Sequence, residues 1–228
     1  MPQSSRKPRE PRAEELAPEP RTFGQARARA TYESLLEAAR SVFSTRGYDD
    51  AQTPDIAAAA KVSVGTVYRY FRDKRHLFVE MIAQHLAEVH EQIALQITPD
   101  KFGRTNKERR HVIEHALDLL CAHIRRDPTL YRVYLGVSLR DPEVAALRRR
   151  FEKKGEDLIA QLIEVLAPGS GIANPQAAAH VIVVAALEVT LSRAGLRLPE
   201  ARASRGGVSD EQLREALSEM IHRFVFPS

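Results

Sequence analysis

Apolar residues recur at three- and four-residue spacing along nearly the whole chain, the period of helices with one buried face. Residues 25–45 place Leu35, Ala39, Val42 and Phe43 on one stripe, and Gly47 ends that helix. Residues 53–78, TPDIAAAAKVSVGTVYRYFRDKRHLF, predict two short helices joined by a tight turn and then the start of a long one. Thr53 is placed as the first N-cap, with Pro54 at the first helical position, where a missing N–H costs nothing. Ile56 and Ala60 share that helix's inner face. Lys61, Val62 and Ser63 make the turn. Ser63 caps the next helix, on which Val67 and Phe71 point to the core. Asp73 caps a fourth helix that carries Phe78, Ile82, Leu86, Val89, Ile93 and Ile97 on one side.

The same period continues to the end. Thr105 to Glu108 reads as a capping box opening a helix with Val112, Ile113, Leu117, Leu120 and Ile124 inward. Asp127-Pro128 and Asp141-Pro142 each start another. The second of these carries Val144, Leu147, Phe151, Leu158, Leu162 and Val165, and Gly155 on the same stripe implies close packing or a kink. Asn174-Pro175 opens the penultimate helix. After a loop over 198–208, a capping box at Ser209 to Gln212 opens the last, with Leu213, Leu217, Met220, Ile221 and Phe224 as its stripe. No strand alternation and no internal repeat is found. The expectation is an all-α chain of about nine helices. Residues 1–24 form a Pro-, Arg- and Glu-rich tail too poor in large apolar groups to order itself. Residues 25–72 form a helix-turn-helix head, and 73–228 a helical body.

With Val67 and Phe71 inward, Val64, Gly65, Thr66, Tyr68 and Arg69 face outward. Small residues at a helix start let it sink into the ~12 Å major groove of duplex DNA. Tyr68, Arg69 and Tyr70 then reach base edges or phosphates. Charge supports this by its placement rather than its sum, since the formal net charge is only +4 over 228 residues. From Lys61 to Arg75 the chain holds Lys61, Arg69, Arg72, Lys74 and Arg75 against one acid, Asp73. Such a run is most often a solvated face. Flanking a groove-reading helix, it reads as phosphate contact. The tail's arginines, with Arg27 and Arg29, either touch DNA or only solubilise the chain.

These residues, with ARATYESLLEAARSVFSTRGYDDAQT before them, closely resemble the TetR family of one-component bacterial repressors, from the first helix to about residue 80. The resemblance implies base and phosphate contacts from Ser63, Val64, Gly65, Thr66, Tyr68, Arg69 and Tyr70, with further phosphate contacts from Thr53 and Lys74. It implies a cytoplasmic, cofactor-free homodimer paired through its last two helices. That dimer binds a pseudo-palindromic operator in double-stranded DNA and is released by a small-molecule effector. The effector pocket is expected to be largely apolar, among the middle helices, with Leu117, Cys121, Tyr131, Tyr134 and Phe151 as candidate walls. Two residues depart from the family pattern. Lys61 stands where a glycine is usual, which strains the turn if φ must be positive there. Val64 is apolar where a polar reader is common.

A rival motif is His111-x-x-Glu114-His115, the H-x-x-E-H of inverted zincins. It would make the chain a zinc-dependent hydrolase, with His111 and His115 as ligands, Glu114 as general base and Glu188 completing the site. Eight histidines make so short a pattern easy to meet by chance, and it falls on an ordinary amphipathic helix, so no catalytic or metal site is assigned. The single cysteine, Cys121, excludes an intrachain disulfide and reads as a small buried hydrophobe. No Gly-x-Ser-x-Gly and no glycine-rich phosphate loop is present. The apolar run over 177–191 is broken by His180 and Glu188 and is shorter than the ~20 residues a bilayer needs, so it reads as a buried helix with no membrane role. From Val181 to Leu187 it is apolar all round, more than one core face requires, which supports a dimer through this region.

Overall fold

Side-chain caps decide where most helices begin. In a computed structural model describing residues 26–196 and 207–227, Ser63, Asp73, Thr105, Asp127, Asp141, Asn174 and Ser209 each accept a backbone N–H of the following turn. The tail 1–24 and most of the loop 198–208 lie outside the described residues. The described elements are α1 (Ala26–Asp50), α2 (Thr53–Ala59), α3 (Val64–Tyr70), α4 (Lys74–Ala94), a 3₁₀ turn at Pro99–Phe102, α5 (Asn106–Arg126), α6 (Pro128–Ser138), α7 (Pro142–Leu166), α8 (Pro175–Arg193) and α9 (Asp210–Val225). Among the described residues there is no strand, and the fold is all-α.

Two start and stop signals differ in detail from the sequence reading. The cap of α2 is Gln52, not Thr53: the Asp55 carboxylate returns to the Gln52 N–H at 3.1 Å, and Thr53 is a buried first-turn residue. Gly47 does break α1, with φ 77° and ψ 177°, but a last short turn follows it. That break lets the Tyr48 ring stack on Phe43 at 5.9 Å and meet the edge of Phe78 at 4.9 Å.

Two apolar cores result. The first joins α1 to α4 and continues into α6 and the start of α7 through Tyr131, Tyr134, Val144 and Leu147. The second joins α5, α7, α8 and α9 around Ile113, Leu117, Leu162, Ile182 and Leu217. Charge pairs stitch the elements where they meet. Arg75, in the first turn of α4, makes a two-pronged contact with Asp141 at 2.5 and 2.8 Å and also reaches Glu143 at 2.5 Å. Asp141 is itself the cap of α7. Arg193 of α8 and Arg214 of α9 share the carboxylate of Asp118 on α5, at 2.8 and 2.9 Å.

The penultimate helix is not a central, wholly buried rod. Of the described helices, α8 alone is long and apolar enough to cross a membrane by length and composition, yet it packs along α7, α5 and α9. Its other side leaves Val181 59% and Val184 51% exposed. On α9 the predicted stripe divides: Leu217 and Ile221 turn into the second core, while Met220 and Phe224 remain half exposed.

Candidate nucleic-acid interface and ligand cavity

The α2–turn–α3 unit is held from behind. Ile56 and Ala57 on α2 and Val67 and Phe71 at α3 are buried in the first core. The turn closes as a Schellman motif: Val62 N–H donates to the Ala57 carbonyl at 2.9 Å and Lys61 N–H to that of Ala58 at 3.1 Å. This motif requires a left-handed residue at Lys61, and its φ is 55°, the one positive φ on a non-glycine among the described residues. The position that departs from the family's glycine is therefore strained. Lys61→Gly is expected to stabilise the fold by up to about 1 kcal/mol, the left-handed penalty relieved less glycine's added chain entropy. Denaturant titration measures it; a loss of stability would contradict the strain.

The other face of α3 is open. Tyr68 is 54% exposed, and Arg69 and Gly65 are exposed beside it. No ion pair engages Lys61, Arg69 or Arg72 among the described residues. A Cβ on Gly65 would meet only Ser63 Oγ, at 3.7 Å, so nothing inside the chain demands a glycine there. Thr66 lies with Ser63, hydroxyl to hydroxyl at 3.0 Å. Val64 is partly buried against the first core.

Three of the residues singled out from sequence are engaged within the chain. Thr53 is 8% exposed. Tyr70 packs on the first core and donates its hydroxyl to the Ala28 carbonyl at 3.3 Å. Lys74 donates to the carbonyls of Tyr48 and Asp49 at 2.7 and 3.1 Å and lies 4.8 Å from the centre of the Tyr48 ring. A further network was not legible in sequence. The buried Glu80 carboxylate accepts from the Tyr32 hydroxyl and from His76 Nε2, the latter at 2.6 Å. His76 Nδ1 in turn accepts the Arg72 N–H at 3.1 Å, fixing the chain just past α3.

Behind the head, a cavity of about 160 Å³ lies among α4, α5, α7, α8 and α9. Its walls are aliphatic and aromatic, and Leu117 and Phe151 are two of them. His90 and Glu152 are its only ionisable wall groups; burial, with Lys154 nearby, lowers the pKa of His90. A second space of about 40 Å³ is walled by Tyr131, Tyr134 and Arg148 and shares Leu120, Phe151, Glu152 and Leu187 with the first. Four of the five residues expected from sequence thus line one or other of these spaces. Cys121 lines neither; it is buried, and burial pushes its thiol pKa up. Gly155 forms part of the larger wall, opposite Val183, with 3.7 Å to spare for a Cβ.

A polar line connects the smaller space to α1. The Arg40 guanidinium donates to His85 Nδ1 at 2.6 Å. Arginine only donates, so the neutral ring carries its proton on Nε2 and gives it to the Tyr131 oxygen at 3.2 Å. Burial first, then the charge of Arg40 and of His123, lowers the His85 pKa to about 4. The unfolded ring ionises near 6.5, so between those values the unfolded chain binds more protons. The stability held by the neutral ring is present above pH 6.5 and falls as pH drops towards 4, by about 3 kcal/mol in all. His85→Gln should flatten this part of a stability–pH profile measured by denaturant titration; an unchanged slope would refute it.

The H-x-x-E-H motif builds no metal centre. His111 and His115 are exposed on α5 with ring centres 6.5 Å apart, while Glu114 turns to α9 and accepts from Ser218 Oγ at 3.0 Å. No group of three His, Cys, Asp or Glu suited to a metal occurs among the described residues.

Comparison with known proteins bears on the same segment. The family model described as bacterial regulatory proteins, tetR family, matches residues 35–81. The chain is 33% identical over 132 residues to the HTH-type transcriptional regulator HbdR of Aromatoleum sp. (strain CIB), covering 57% of this chain and 53% of that one. It is 32% identical over 96 residues to the HTH-type transcriptional repressor KstR of Rhodococcus jostii (strain RHA1), covering 42% of each. The matches thus span about half the length of these curated relatives. Among solved structures, a TetR-family transcriptional regulator from Pectobacterium atrosepticum aligns over 90% of this chain and 99% of its own, with 25% identity and a TM-score of 0.58.

Proposed function

The chain belongs to the TetR family of bacterial regulatory proteins, and from that premise we propose that it is a transcriptional repressor whose homodimer binds a pseudo-palindromic operator and is released by a small, largely apolar effector. The carrying observation is the two-faced α3, clamped to the core by Val67 and Phe71 while Gly65, Tyr68 and Arg69 stand free between unpaired Lys61 and Arg72. Gly65 lets the helix start approach a groove closely, Tyr68 and Arg69 read base edges, and the flanking cations take phosphates. Ser63 and Thr66 supply hydroxyls at the helix start. Tyr70, Thr53 and Lys74 act chiefly by holding the reader in place.

In this reading residues 25–72 are the head and 73–228 the body. The apolar outer side of α8 with Met220 and Phe224 of α9 is the dimer face, matched to its own copy about a two-fold axis. Two heads then fall on half-sites about 34–36 Å apart or somewhat more. The effector lies in the cavity against α7. A shift of α7 is passed to α4 through Asp141 and Arg75, changing the head spacing, provided the ligand binds the two arrangements with different affinity. Such a protein works in the bacterial cytoplasm.

Selection of bound fragments from the source genome, followed by fluorescence anisotropy against random duplex, tests the reading. A palindromic motif bound at least about a thousandfold more tightly than random DNA is expected. Equal affinity for both would leave only an unspecific DNA binder.

A further inference from the structure

The two spaces adjoin at Leu120, Phe151, Glu152 and Leu187 and differ in chemistry, and the difference defines the ligand. The larger is apolar apart from His90 and Glu152. The smaller concentrates donors. Tyr131 already accepts from His85, so its own hydroxyl proton is free to donate, and no acceptor among the described residues takes it. Tyr134 lines the same space with its hydroxyl unbonded among the described residues, near Arg148 and Glu152. Arg148 uses Nε on Glu152, at 2.8 Å, leaving its other N–H groups to spare. The Arg148 charge is therefore already balanced by Glu152. The walls thus hold surplus hydrogen-bond donors and no surplus charge.

We propose that the effector is a neutral molecule with an apolar body in the larger space and a carbonyl oxygen (ketone, ester or amide) held by the hydroxyls of Tyr131 and Tyr134. This rests on the reading of the cavity as the effector site and narrows it to a chemical class. A carboxylate would face Glu152 and have to lose its hydration beside an already neutralised arginine. An ammonium head would stand beside the Arg148 guanidinium, with the Glu152 carboxylate already balanced by that arginine. A carbonyl satisfies both hydroxyls without adding charge. It would also sit at the end of the line from Arg40 on α1 through His85 to Tyr131, so that its arrival is felt in the head.

Calorimetric titration of the full chain with 2-undecanone, decanoate and decyltrimethylammonium tests the class. The ketone is expected to bind at least about tenfold more tightly than either ion. Tyr134→Phe and Tyr131→Phe should each weaken the ketone about fivefold without altering the far-UV circular dichroism. Decanoate binding as tightly as the ketone, no saturable ketone binding, or ketone affinity unmoved in both phenylalanine variants would each overturn the proposal. Gly155→Leu and Ala186→Leu, which fill the larger space from two helices, tell the two readings apart. Loss of ketone binding in either folded variant supports the cavity; ketone binding intact in both, with circular dichroism unchanged, overturns the cavity reading itself.

Discussion

Val184→Asp is expected to give a folded monomer that loses roughly 10²–10⁴-fold of its affinity for a two-half-site operator. Val184 stands half exposed on α8, one turn from Val181 and on the outer side of the helix pair with Met220 and Phe224. In the single chain the new carboxylate meets water, so the cost to folding should stay within about 0.5 kcal/mol. In a two-fold dimer both copies of the carboxylate would be buried against apolar surface with no partner, which no association through that face can offset. The lost affinity is the avidity of two linked heads, not a contact to DNA. Sedimentation velocity reads the assembly and anisotropy the affinity. A dimer that persists with full operator binding would move the interface elsewhere. Leu217, at 4% exposure, is the wrong residue for this purpose: replacing it would damage the second core instead.

Arg69→Ala is the second large effect expected, a loss of about 1–3 kcal/mol, or roughly 5- to 150-fold, on the selected operator. The guanidinium is exposed on α3 and has no ion pair among the described residues, so its removal should leave the fold intact. A base-reading arginine differs from a phosphate-binding one in what its loss does to other sequences. Arg69→Ala should relax selection at the contacted base pair while random DNA is little affected. Arg72→Ala, one residue past the inward Phe71, should lower affinity for all duplexes alike and flatten the salt dependence by about one. Anisotropy across a panel of single-base operator variants separates these outcomes. Unchanged discrimination in Arg69→Ala would remove it from the readers.

Much of this architecture could be read along the chain because it is written in local terms. Ser63, Asp73, Asp127, Asp141 and Asn174 cap helices through bonds that span two or three residues, and the inward register of Val67 and Phe71 follows from a four-residue period. Gly47 breaks α1 because a positive φ is cheap for it alone. Where two residues compete for the same local role, the reading slips by one, as between Gln52 and Thr53 at the start of α2.

Glu80 was not legible because the first turns of α4 are buried on every side: Leu77 to Ile82 leave no polar face against which a misplaced carboxylate would stand out. The intrachain partners of Lys74 and Tyr70 were not legible for a related reason. A cation or a tyrosine near a reader looks free in sequence, and only the packing of α1 supplies the carbonyls that engage them, Tyr48 and Asp49 from its end and Ala28 from its start.

The order of residues alone determined the helices, most of their starts and the outward face of α3, since each depends on neighbours a turn or less away. Tertiary structure alone decided which apolar stripes close on themselves and which stay open. It placed Cys121 outside both spaces and Tyr131 in the wall of the smaller, and it joined Arg75 to Asp141 across 66 positions. Those outcomes depend on where distant helices come to rest, and a pattern of period 3.6 says which side of a helix is buried but not what is buried against it.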